Sequence, residues 1–483
     1  MPFNDDLRGQ PFSDPPVNIS IYPEGAAVLY EEQFEPGATL ELRGRHDRLR
    51  INQRGDLNNP IRIVCAEGDE EWGNIDGGEN TGPPIIDLMD SRHVHLIGLH
   101  ITSSGKRRTD PDETGRHKAI EGGGIGCKVI NCVLYNTGGI GGGPFEAYGN
   151  LLYACGGNTQ EHGIYWQNDG EDPKLIESNI IINPSGYGLH LFGSEGELVG
   201  FHVIANTIVN PGLVEGNMQS SILVGGGQPV DMVSITDNAI YQMPEVAQGS
   251  GIRLGYKHEQ NMALEVLRNT IVANNGIKVD KPFRALTVSN NHTTADNYCM
   301  VWEGDWTPSW EYNAVATRRG DGAVYRRNTG EGREEWTAVM AEEAGIDPDI
   351  GTRVITRPNK YDPDRLDVIV FNPEGHASVD VNLGHWLKDF DKIEIRRADN
   401  YYESASEAMF MGDPLGLNMR HGIVARVAGY PKTPNTWPQF GVFILRRIVD
   451  DTVPPEPPDP PEVPEGRLIP IDASKIIGIM VRE

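Results

Sequence analysis

Apolar residues recur two apart in five short segments: GIYWQN (163–168), GLHLFG (188–193), SILVGG (221–226), GIRLGY (251–256) and GIKVDK (276–281). That period belongs to a strand with one face buried. The segments start 25 to 33 residues apart, a spacing that suits coils differing only in their loops. Between them runs a second strand carrying an asparagine: IESNIII (176–182), VIANTIV (203–209), ITDNAIY (235–241) and VLRNTIV (266–272). Asn179, Asn206, Asn238 and Asn269 thus recur at the coil interval. Asparagine tolerates left-handed backbone angles, and stacked asparagine side chains hydrogen-bond as a ladder. A chain returning to one strand-turn-strand unit in this way reads as an all-β parallel solenoid.

The alternation also assigns faces. With Ile164, Leu189, Ile222, Ile252 and Ile277 pointing inward, Tyr165, His190, Leu223, Arg253 and Lys278 form one outward row. Continuing the register back through GGIGGG (138–143), AIEGGG (119–124) and IIDLMD (85–90) adds Gly141, Glu121 and Asp87. Rungs lie about 4.8 Å apart. Tyr165 then neighbours His190, Asp87 neighbours Glu121, and Gly141 leaves a depression between the two pairs.

The segment 36–78 carries a more specific pattern in Gly37, Leu40, Leu42, Gly44, Ile51, Gly55, Pro60, Ile61, Ile63, Ile75, Asp76 and Gly77. It resembles the opening of right-handed parallel β-helix proteins of the pectate-lyase-like superfamily. IIDLMDSRHVHLIGLHIT (85–102) and EHGIYWQN (161–168) are similar to later coils of that superfamily. The resemblance implies a right-handed parallel β-helix whose outward row lines a substrate groove. The catalytic patterns of the polygalacturonases, the calcium-binding pectate lyases and the alginate and chondroitin lyases are absent. The motifs therefore speak for the fold and leave the chemistry open.

Past residue 300 the coil pattern gives way to a stretch containing Trp302, Trp306, Trp310 and Trp336, with a short helix expected at TAVMAEEAGID (337–347). Alternating strands resume at 353–387 and 437–447. They resemble the β-sandwich that follows the solenoid in many bacterial β-helix proteins, with RPNKYDPDR as entry and FGVFIL as exit; Leu366 stands where that pattern has a small residue. The expected organisation is a lead-in (1–36), parallel β-helix (37–300), connector (301–350), small antiparallel β-sandwich (351–449), Pro-rich linker (450–466) and C-terminal docking segment (467–483). The linker is acidic and polyproline-like. The apolar segment beyond it suits attachment to another chain, giving a homo-oligomer or a larger assembly.

Composition narrows the partners. Glycine, 57 of 483 residues, exceeds the usual share of about 7%, as frequent tight turns require. A formal charge of −27 opposes binding to nucleic acid or an anionic membrane. No apolar run approaches the length of a membrane span, and MPFNDDLRGQPFSDPP lacks the regions of a secretory signal. The five cysteines, without CxxC or zinc spacing, read as free core thiols. No metal or cofactor is implied.

Three uses of the outward row remain open. In β-elimination from a uronate, Tyr165 or His190 removes a proton while Arg253, with Lys278, neutralises the carboxylate. In glycoside hydrolysis, Asp87 and Glu121 form the carboxylate pair. In plain binding, the same groups contact sugars, or they are simply solvent-facing polar positions. The basic excursion 103–118, with Lys106, Arg107, Arg108, Arg116, His117 and Lys118, adds candidate contacts to an acidic glycan. The expectation is a polysaccharide-interacting appendage of the virion or cell exterior, comparable to a tail spike or fibre. The alternative is a polysaccharide lyase or glycoside hydrolase acting on an acidic polysaccharide.

Overall fold

The computed structural model describes residues 33–66, 75–78, 82–103, 118–194, 196–213, 219–304, 306, 308–317, 351–412, 414–420, 422–427 and 433–448. The backbone of strands Ile19–Tyr22, Ala323–Thr329 and Gly332–Thr337 is also described. The expected helix beyond Thr337, the basic residues 106–117 and the tail 450–483 lie outside these residues.

Each coil visits three parallel sheets in a fixed order. Leu198–Ile204 lies in the first sheet, Thr207–Val209 in the second and Ile222–Gly226 in the third. The next coil repeats them with Val230–Thr236, Ala239–Tyr241 and Ser250–Lys257, each paired in parallel with its predecessor. Among the described residues the first sheet has 12 strands. The second and third merge where Thr270–Val279 and His292–Glu303 run through both. This is a parallel β-helix. Parallel pairing reaches from Ile19 to Asn328, past both ends of the 37–300 span.

Inside, Ile164, Leu189, Ile222, Ile252 and Ile277 stack in one buried column. Each such side chain contributes about 1.5–3 kcal/mol of hydrophobic burial. Two tryptophans beyond residue 300 serve this core: Trp302 is buried in it, and Trp306 packs against it. Trp302 Nε1 donates to the Trp306 carbonyl at 2.9 Å, and Trp306 Nε1 to that of Glu303 at 2.8 Å. All five cysteines are free; four are buried, and Cys65 is half-buried rather than in the core.

Asparagines line the corner between the first and second sheets. The ladder is longer than the four positions expected, running Asn150, Asn179, Asn206, Asn238, Asn269, Asn291 and Asn313. Within it each side-chain oxygen accepts the backbone N–H and the Nδ2 of the preceding asparagine. Asn206 Oδ1, for example, lies 3.0 Å from Asn179 N and 2.9 Å from Asn179 Nδ2. Asn206 Nδ2 in turn donates to Asn238 Oδ1 at 3.0 Å and to the Ile176 carbonyl at 2.8 Å. The left-handed backbone falls one residue earlier than expected, at Ser178, Ala205, Asp237, Arg268, Asn290 and Tyr312, with φ between 55 and 59°. The asparagines are there for their side chains; the residue before each one makes the corner.

A five-stranded antiparallel sheet follows, in the order Arg353–Pro358, Arg365–Phe371, Phe440–Ile448, Lys392–Arg397, Ser406–Met409. Its inner face, including Leu366, packs with the Ser378–Val381/Leu415–Asn418 pair. Its outer face, with Ile369, Phe371, Phe440, Val442 and Ile444, covers Val133, Leu151, Tyr153, Ile180, Ile182 and Val209 of the second sheet. Those solenoid strands are therefore buried on both faces, which explains uninterrupted runs such as Ile180–Ile182. The RPNKY motif makes the polar part of the joint. Arg357 donates to Thr207 Oγ1 at 2.8 Å and to the Asp237 carbonyl at 2.7 Å. Lys360 reaches Glu146 at 2.9 Å and Glu177 at 2.6 Å. Among the described residues no helix is long and apolar enough to cross a membrane.

Replacing Asn206 with Ala removes the acceptor for two buried donors of Asn179 and the donor to two buried acceptors. At about 1–3 kcal/mol per orphaned group, chemical denaturation should show a loss of roughly 3–5 kcal/mol. A loss below about 1 kcal/mol, the size of one ordinary net hydrogen bond, would remove the ladder from its structural role.

Candidate functional site

The outward row of the third sheet has the register read from the sequence. Asp87 pairs with Glu121 and Tyr165 with His190; Leu223, Arg253 and Lys278 follow in successive rungs. Bridges from Ile120 to Ile140 and from Ile140 to Ile164 put Gly141 between Glu121 and Tyr165. Lys118, beside the Glu121 strand, forms an ion pair with it; Arg107 and Arg108 lie outside the described residues.

Surroundings change what these side chains can do. His190 is held among aromatic rings, with centroids 4.4 Å from His162, 4.6 Å from Tyr187, 5.0 Å from Phe192 and 5.1 Å from Tyr165. Burial, reinforced by His162 and Lys257, pushes its pKa down to about 2. Burial takes His162 down to about 3. A general base needs proton affinity near the working pH, and the neutral, enclosed His190 lacks it.

The distant cations are also committed. Arg253 bonds Asp280 at 2.6 Å and lies 4.6 Å from the Tyr256 ring centroid; Lys278 bonds Asp280 at 2.8 Å. Asp87 accepts the Met89 N–H at 3.0 Å, as in a local turn. Leu223 is fully buried despite its outward register.

The depression expected at Gly141 is filled, because the Lys118 side chain lies over it and a Cβ there would meet Lys118 Cδ at 2.8 Å. A cleft of about 770 Å³ opens over Gly142 and Gly143, lined by Lys118, Glu121, Tyr165, Gln167, Asn168, Asp169, Asp172 and Lys174, among others. At Gly143, φ is 137° and a Cβ would come within 2.1 Å of the Gly122 carbonyl oxygen, so the floor there requires glycine. Trp166 Nε1 donates to the Gly141 carbonyl at 2.9 Å, fixing that floor from within. Gln167 Nε2 donates to Tyr165 Oη at 3.3 Å and Ser194 Oγ at 3.1 Å.

One wall of the cleft comes from residues not singled out in the sequence. Residues 170–173 bulge from the first sheet opposite Gly200 alone. Asn168 Nδ2 holds the bulge, reaching the carbonyls of Asp172 at 3.0 Å, Val199 at 2.7 Å and Gly200 at 3.1 Å. Asp169, Asp172 and Lys174 thereby line the same cleft as Tyr165 and Glu121. The signal was there: NDGEDPK (168–174) interrupts a strand with Gly and Pro, a bulge signature.

No protein-family model matches the chain, and no curated protein sequence matches it. Among solved structures it is similar to the GH136 lacto-N-biosidase from Eubacterium ramulus, with a TM-score of 0.36 and 11% identity over 64% of this chain and 61% of that one. It is also similar to the tailspike protein gp49 of Acinetobacter baumannii bacteriophage Fri1, a capsular polysaccharide depolymerase. That match has a TM-score of 0.26 and 8% identity over 85% of this chain and 79% of the other. The chain thus spans about three-fifths of the lacto-N-biosidase. No residue role carries over at these scores, and the fold rests on the strand pairing.

The depressed histidines set a pH dependence. An unfolded histidine titrates near 6.5, whereas folded His190 and His162 titrate at about 2 and 3. Their contribution is complete above about pH 6.5 and is lost as pH falls towards the folded values, by roughly 2 kcal/mol each between pH 7 and 5. Replacing His190 with Phe should lessen the measured loss of unfolding free energy over that interval by about this amount. An unchanged acid limb would mean that folded His190 does take up a proton.

Proposed function

We propose that the third sheet is a saccharide-binding face and that the protein is a glycan-contacting appendage of a virion or cell exterior. The observation that carries this reading is the continuity of a glycine-floored cleft with a strip of aromatic rings. Beyond Tyr165, the rings of Tyr187, Phe192 and Tyr256 follow along the rod. Apolar ring faces beside convergent amides, carboxylates and ammonium groups suit the mixed surface of a sugar. A chain of sugars lying along the axis would meet the cleft first and the rings afterwards.

A second reading, depolymerisation, is favoured by the carboxylates of Glu121, Asp169 and Asp172 in one cleft, the residue type that glycoside hydrolysis uses. Elimination by Tyr165, His190 and Arg253 has less support. The enclosed His190 leaves Tyr165 as the base, and the carboxylate-neutralising Arg253 and Lys278 are both held by Asp280. Attachment is assigned in this reading to residues 450–483, through the apolar segment beyond the proline-rich linker.

Gly142 offers a clean test, because a Cβ there has only the Tyr165 carbonyl near it, at 3.8 Å. Gly142→Leu should obstruct the floor of the cleft, keep the melting temperature of the parent and weaken retention on a microbial glycan array. Tyr165→Ala should weaken retention about tenfold or more, the scale of one lost aromatic contact. A chain lacking residues 450–483 should bind the array as before but fail to assemble. Undiminished retention by Gly142→Leu would move the binding face elsewhere. New reducing ends without unsaturation would establish hydrolysis, and new reducing ends matched by unsaturated ones would restore elimination.

A further inference from the structure

On the third sheet the cations read from the sequence already have partners: Lys118 has Glu121, while Arg253 and Lys278 share Asp280. Lys174 differs. It stands at the foot of the bulge and lines the cleft, and its ammonium lies 5.5 Å from the Trp166 ring centroid. It forms no ion pair among the described residues. Burial draws its pKa down to about 8, with Asp169 opposing the shift.

We propose that Lys174 is the anion-accepting group of the cleft, and that it takes a single carboxylate or sulfate substituent of a heteroglycan whose acidic units are separated by neutral ones. The inference rests on the saccharide-binding reading above.

A partly desolvated ammonium gains most from an anion that replaces lost water with a charge-assisted hydrogen bond. The indole covers one side of it, leaving approach from the cleft. The charges facing Lys174 limit what can enter. Asp169 and Asp172 come from its own bulge; Glu121, paired with Lys118, and the phenol of Tyr165 come from the third sheet. One acidic group meets the ammonium, whereas a uniformly charged polyanion also meets three carboxylates. The charge of −27 on the whole chain acts in the same direction.

The test uses the full chain on an array of microbial heteropolysaccharide fragments. Each is printed in its acidic form and in a carboxyl-reduced or desulfated form, beside oligogalacturonates of equal length. At pH 7 the parent should favour at least one acidic form over its neutral counterpart by about tenfold to a hundredfold, the scale of a hydrogen bond to a charged group. The carboxyl-reduced and desulfated arms tell which substituent is read, and oligogalacturonates should bind more weakly. Lys174→Gln should erase the preference, and Lys174→Arg should keep it. Above pH 8 the parent's preference should fall about tenfold per unit as Lys174 loses its proton, while that of Lys174→Arg stays level because a guanidinium remains charged. Equal retention of acidic and neutral forms, or a preference that survives Lys174→Gln, would overturn the role of Lys174 and leave the binding face intact. Retention of no fragment in either form would overturn the binding face along with it.

Discussion

Everything outside the solenoid core depends on the rungs being in register, and the asparagine ladder enforces that register. At the corner, backbone bonds such as Ser178 N–H to the Ile204 carbonyl at 3.0 Å and Thr207 N–H to the Asn179 carbonyl at 2.8 Å already tie each coil to the next, and slippage would have to break them. Each Asn–Asn step adds two bonds to one oxygen and a third to a first-sheet carbonyl. All of these groups are buried, and every donor on the asparagine side chain is used. A coil displaced by one residue would orphan several of them at once. The same displacement would turn every side chain of the coil to the opposite face.

Register then decides which faces are available. The second sheet is apolar on both sides, and the sandwich covers it through the outer face of its central strands. The RPNKY motif anchors that cover to Glu146, Glu177 and Thr207. The third sheet keeps polar and aromatic side chains in its outward row, and Gly142 and Gly143 floor the cleft. Cleft and cover are two consequences of one repeat, read on different faces.

Much of this was legible in the sequence. Strict alternation gave the row from Asp87 to Lys278, because a period of two leaves no freedom in which side chains share a face. The Asn–x–apolar pattern gave the ladder, although Asn150, Asn291 and Asn313 sit in less regular segments and escaped. The chemistry was harder to read. Lys278 and Asp280 are two apart on one strand and were bound to meet, but the parallel register that brings Arg253 to the same carboxylate appears only when the coils are stacked. Phe192 shares the face of His190 for the same reason, while Tyr187 and His162 arrive from loops, so the enclosure of that ring was hidden. Lys174 and Asp172 reach the cleft from a different sheet, and no periodicity within one strand could have joined them to Tyr165.

The central claim is that the third sheet, with the first-sheet bulge beside it, meets a saccharide chain. Hydroxyl-radical footprinting with the full chain and a retained polysaccharide measures this directly, since aromatic and sulfur side chains report their own exposure. The account predicts protection at Tyr165, Tyr187 and Tyr256, with Phe390 and Met411 on the sandwich, 68% and 69% exposed, oxidised as in the free protein. Protection of Phe390 and Met411, with the third-sheet rings unchanged, would contradict it.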